Sequence, residues 1–189
     1  MNRHTGFRLT QGVYHLALGV WAGAMLMLAV GAMQTFAAVR AHGEALQGLT
    51  PEALAGAVVG RMIAGLTVVQ MVCAVAVAGA VLLQHVSFGW ALRGGRLGWA
   101  NLTRLILIGL PMAVLMLNVL VISPAVWEHR EAMYDAGQPT ERREAARERF
   151  AVYHRLSERT HGVALLMLAG AIVVSPFAFE LARREDRGP

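Results

Sequence analysis

Apolar residues run with almost no charge through four stretches of the chain, at 12–39, 58–83, 105–122 and 162–181. A helix crosses a bilayer in about 20 residues, so each stretch predicts a membrane-spanning helix. The first two exceed that length and predict tilted or projecting helices. The uncharged run from Leu9 to Val39 is also too long for a secretory leader, whose apolar part is about 7–15 residues. The first stretch is therefore expected as a retained first span, although Arg3 and Arg8 precede it.

The polar connections predict how these spans begin and end. Thr50-Pro51-Glu52 is a helix-start pattern, with a cap, a proline at the first helical position and an acid at the positive end of the dipole. The second span can therefore start as early as Pro51. Trp90, Arg93, Gly94, Gly95, Arg96 and Trp99 read as an interfacial turn. The third connection differs in kind, because 123–160 holds seven Arg and seven Asp or Glu. The third helix is expected to continue to Tyr134, to break at Ala136-Gly137-Gln138-Pro139 and to restart with Thr140 as the cap. That helix then passes without a break into the fourth span, carrying a charged segment over 124–160 into the membrane. The expected architecture is all-α, a single membrane domain over 1–189. It is an integral membrane four-helix bundle with an extramembrane helical extension between the third and fourth helices.

Composition agrees with the pattern. The chain is 56% hydrophobic and 15% charged, against about 25% charged in soluble domains. Its cations are all arginine, a bias expected of a GC-rich bacterial genome. The net charge of +5 does not point to nucleic acid, because the arginines sit at helix ends and in the charge-balanced connection. The single cysteine, Cys73, excludes an intrachain disulfide and a CxxC metal motif. Arginines in the N-terminal tail, the second connection and the C-terminal tail put both termini in the cytoplasm by the positive-inside rule. The third connection would then face outside a bacterial inner membrane.

Several residues invite a chemical reading. Gly19-x-x-x-Gly23 and Gly56-x-x-x-Gly60 suit close helix packing, and packing within the chain is preferred to dimerisation. Arg104, Pro111 and Asn118 share one face of the third span, and Gln70 and Cys73 share one face of the second. Polar groups in lipid are costly, so these residues, with His15 and Gln34, are expected to face the interior. Gln70, Arg104 and Asn118 are the candidates for a polar path. His42, His129, His154 and His161 fall on the presumed outer side, and imidazole binds copper, zinc or haem iron. His154 and His161 are seven apart, about 10 Å along a helix, so one ion cannot take both directly. A site would need one of them with His42, His129 or Glu158. Haem could alternatively be held between His15 and His85. Met112 and Met116 suit copper(I), but thioethers more often serve as adaptable packing. No carboxylate lies at the membrane centre, which argues against a proton-coupled carrier. Ser157 and His154 lack an acid partner, an oxyanion hole and a nucleophile elbow, which argues against a hydrolase.

Three segments carry a family resemblance. One is the first span with its glycines and Phe36. Another is Leu49-Thr50-Pro51-Glu52-Ala53-Leu54-Ala55-Gly56-Ala57-Val58-Val59-Gly60-Arg61-Met62. The last is Phe150-x-x-Tyr153-His154-x-x-Ser157 ahead of the fourth span. On these the chain resembles the transmembrane-protein-205-like family, four-helix membrane proteins classed as a domain of unknown function. The likeness departs at Met62, where an aromatic residue is expected, and at His161, where asparagine is commoner. The resemblance implies four membrane helices and a charged segment between the last two. It implies no reaction, and it marks Phe150, His154 and Ser157 only as motif positions.

The expectation for function is a non-enzymatic structural or accessory component, held in the lipid bilayer and docked on other subunits of a membrane complex, with no cofactor. Copper or haem handling through the histidines, and transport of a small solute, are the alternatives.

Overall fold

The computed structural model describes residues 3–41, 51–88 and 96–185. Everything described is helix or short turn, and no strand occurs among the described residues. The helices are α1 (Arg3–Ala41), α2 (Pro51–Phe88), α3 (Arg96–Leu117), a π-helical turn (Asn118–Ile122), α4 (Ser123–Tyr134) and α5 (Thr140–Glu185). Four helical stretches, 5–41, 52–86, 99–134 and 140–177, are long and apolar enough to cross a membrane. The chain is thus all-α, with the four spans of a multi-pass membrane protein.

Each helix outruns the apolar stretch that predicted it. Once nucleated, a helix gains one hydrogen bond per added residue, so it propagates past the lipid-matched run until a breaker stops it. α2 starts at Pro51, where the fixed φ and missing N–H of proline cost a first turn nothing. His42, Thr50, Trp90, Arg93 and Arg187 lie outside the described residues.

The chain divides into two compact units, residues 1–98 and 99–189. In the first, α1 packs along α2. Tyr14, Ala17, Leu18, Trp21 and Met25 are buried on α1, and Leu66, Gln70, Cys73, Val77, Ala80 and Gln84 on α2. The α2 set advances by alternating steps of four and three, and Tyr14, Leu18, Trp21 and Met25 do the same on α1, with Ala17 beside Leu18; this is the spacing of a knobs-into-holes seam. A Cβ on Gly31 would stand 2.7 Å from the Met62 methyl, so Met62 lies over the bare backbone of α1. Met62 is therefore a packing contact, made by a flexible side chain.

Gly19 and Gly23 behave differently from the expectation. A Cβ on either would meet nothing within 4 Å, so this pair makes no packing contact within the first unit. The motif pattern shows that backbones can approach here, and the burial seam of α1, centred on Trp21, lies on the opposite side. Gly60 is buried and Gly56 half-buried. Gln34 is exposed and His15 half-buried, against the expected interior placement. Gln34 lies two turns from the end of α1, near enough to a membrane surface to be solvated.

In the second unit α3, the π turn and α4 form one continuous helical rod, as the run to Tyr134 predicted. Its buried seam is Asn101, Arg104, Ile108, Pro111, Leu115, Asn118 and Ile122, again in steps of three and four. α4 and the π turn pack on α5, and lower down Leu107 reaches to 3.4 Å of a Cβ built on Gly170. The rod ends where expected. Asp135 is extended, its carboxylate accepts the Gly137 N–H at 2.9 Å, and its carbonyl accepts the Gln138 N–H at 3.2 Å. Thr140 does not cap α5 through its side chain. The Pro139 carbonyl accepts the Arg143 N–H at 3.1 Å, while the Thr140 hydroxyl accepts from the Arg143 guanidinium at 3.3 Å. The helical turn thus begins one residue earlier than the Thr-capped pattern predicts. α5 then runs 46 residues from the charged segment through the fourth span.

Candidate functional site

The polar side chains of the second unit converge at one level, where α3 passes into the π turn. The Ser123 N–H bonds to the Asn118 carbonyl, five residues back rather than four. Such a wide turn inserts one residue into the α register, and π turns recur at functional sites. Asn118 is 3% exposed at its start. Its carboxamide donates to the Val114 carbonyl at 3.0 Å and to the Thr160 hydroxyl at 3.1 Å. Val114 O can only accept, so the atom facing it is the amide nitrogen. The Ser157 hydroxyl donates to the other side of the carboxamide, Asn118 Oδ1, at 3.4 Å.

Ser157, Thr160 and His161 occupy one turn of α5, so a single asparagine can reach two of them while the third touches its neighbour. His161 Nδ1 is 2.8 Å from the Ser157 carbonyl and 3.4 Å from its hydroxyl. Thr160 donates to the carbonyls of Leu156 and Ser157, each at 3.0 Å. The result is a tie between two helices made of uncharged groups, each with its donor engaged. In lipid such bonds are individually worth about 0.6 kcal/mol and at most about 1.7.

The remaining predicted residues fall elsewhere. His154 takes no part in the tie: its Nε2 is 3.3 Å from Glu158, with both side chains more than half exposed, and its ring stacks on Phe150 at 5.4 Å between centroids. His129 of α4 lies against Tyr153 of α5, ring centroids 5.6 Å apart. Among the described residues no three His, Cys, Asp or Glu side chains stand together as a metal-holding group. His15 sits edge-on to Tyr14 at 5.2 Å, and His85 is exposed. Ser157, one of the motif positions, belongs to the tie, whereas Phe150 and His154 form their own stack.

Gln70 and Cys73 are both buried on the first unit's seam. Arg104 and Asn118 are buried on the second's, fourteen residues and so about 21 Å apart along the axis. Ile108, Pro111 and Leu115 fill the seam between them, so the polar residues mark two levels of it rather than a continuous polar line.

Thr160 and the π turn are the parts of the site that were not among the expected residues. The signal for Thr160 was its place three residues after Ser157 and one before His161. No local pattern distinguishes Asn118-Val119-Leu120-Val121-Ile122 from ordinary helix. Beyond the tie, α4 and the start of α5 border an open cleft of about 490 Å³, lined by Glu128, His129, Gln138, Arg142 and Arg149 and by three alanines.

No family model, curated protein or solved structure matches the chain.

Proposed function

We propose that the protein is a non-enzymatic component of a membrane assembly, anchored by its four spans and docking through the α4–α5 hairpin. The observation that carries this reading is the cleft of that hairpin. Arg142 and Arg149 lie two turns apart on α5, both exposed, and face Glu128 and His129 of α4 across about 490 Å³ of open space. Exposed guanidiniums at that spacing suit the carboxylates of a polar helix or loop, since arginine offers a planar, two-pronged donor set. The three alanines that also line the cleft are small enough to leave room for a partner's side chains between the arginines. The proposed setting is a bacterial inner membrane with both termini in the cytoplasm and the hairpin outside.

The test is partner capture from native membranes solubilised in a mild detergent. Wild-type protein is expected to bring down a stable membrane partner. Replacing Arg142 and Arg149 together by glutamate is expected to remove that partner at least tenfold while the protein itself stays monodisperse. Unchanged recovery with the double variant overturns the docking surface.

A further inference from the structure

The tie around Asn118 has spent all of its donors and kept an acceptor. Both amide hydrogens of Asn118 are used, on Val114 O and Thr160 Oγ1. The Thr160 hydrogen goes to a helix carbonyl and the Ser157 hydrogen to Asn118 Oδ1. His161 Nδ1 lies 2.8 Å from the Ser157 carbonyl, which can only accept, so Nδ1 carries the hydrogen. In neutral His161 the lone pair is therefore on Nε2, the ring atom turned away from the tie. No hydrogen bond to Nε2 forms among the described residues, and the ring is half-buried.

Two features say what could meet that lone pair. Leu165 and Ile172, four and eleven residues on, continue the His161 edge of α5 and are half-buried, while Glu158 and His154, three and seven residues back, carry the same edge into the charged segment and are exposed. The edge is apolar towards the membrane and polar away from it. A held metal ion would want several donors, and the described residues offer no such group here.

We propose that His161 Nε2 is a binding point for the hydroxyl of a membrane-dissolved amphiphile, whose O–H donates to the imidazole while its apolar body lies along Leu165 and Ile172. Asn118, Ser157 and Thr160 are positioning residues: they fix the ring and its tautomer. The ligand chemistry is an O–H donor on a hydrocarbon body, and either a membrane hydroquinone or a lipid alcohol supplies it.

The experiment uses the full chain in lipid nanodiscs, labelled with ¹⁵N-histidine, and three probes with the same ten-carbon tail: a hydroquinone, the matching benzoquinone and decanol. The ¹⁵N spectrum is expected to show His161 protonated at Nδ1. The hydroquinone is expected to shift its Nε2 signal and to bind about tenfold more tightly than the quinone, the scale of one hydrogen bond out of water. His161→Leu is expected to erase that preference. Binding of decanol as well assigns the site to lipid alcohols; binding of the hydroquinone without decanol assigns it to aromatic diols. An Nε2-protonated ring, equal binding of quinone and hydroquinone, or no shift with any donor overturns the proposal, and the spectrum of the unmutated protein decides even where His161→Leu fails to fold.

Discussion

Asn118 shows how one side chain can matter more than its size. Where the π turn meets α5, its carboxamide engages the hydroxyls of both Ser157 and Thr160. Leucine in its place keeps the volume but strands two hydroxyls that can fall back only on their own helix. Asn118→Leu is expected to destabilise the protein by about 1–2 kcal/mol, the sum of two interhelical bonds in lipid. Unfolding in mixed detergent micelles measures it. Thr160→Val in the same assay should cost less, because Thr160 holds one of the two contacts. His161 belongs to the same turn but does not bridge the helices, so its replacement should leave this stability nearly unchanged.

Single helices were largely legible from residue spacing, with faces less so. Arg104, Pro111 and Asn118 recur every seven residues, and the structure buries all three on one seam. Gln70 and Cys73 behave in the same way on α2. Gly19 and Gly23 do not, because a small residue is compatible with close packing but does not cause it; a buried neighbour across the gap is also needed, and α1 turns Trp21 inward instead. Alanine at both positions is therefore expected to cause no loss of stability and to add up to about 1 kcal/mol per site through helix propensity. A loss of stability of more than about 1 kcal/mol in the micelle assay would mean that another backbone packs against this face. The π turn was invisible for a different reason. Asn-Val-Leu-Val-Ile has ordinary helical chemistry, and an extra residue in a turn is fixed by what Asn118 and Ile122 must reach, not by local preference.

At the scale of the whole molecule the testable feature is orientation. Gly137 is exposed at the tip of the hairpin, and Cys73 is buried in α2. Gly137→Cys is expected to react from outside intact cells with a membrane-impermeant maleimide, while the wild-type chain, with Cys73 as its sole thiol, stays unlabelled. Labelling only after the membrane is opened would reverse the proposed topology and put the Arg142–Arg149 cleft in the cytoplasm.

Four apolar runs, a charged connection and a Gly-Gln-Pro break were enough to determine the helices, because lipid leaves the backbone no other way to satisfy its own polar groups. The same pattern determined the length of α5, since nothing between Thr140 and the fourth span interrupts its hydrogen bonding. Tertiary structure alone decided which polar residues meet. It joined Asn118 to Ser157 and Thr160, about forty positions away in the chain, and left His154 with Glu158 one turn along its own helix. Periodicity assigns a residue to a face of its own helix, but the depth and rotation at which two helices cross depend on every side chain between them. Leu107 against Gly170 and the inserted residue of the π turn are two of those, and no one-dimensional spacing encodes their sum.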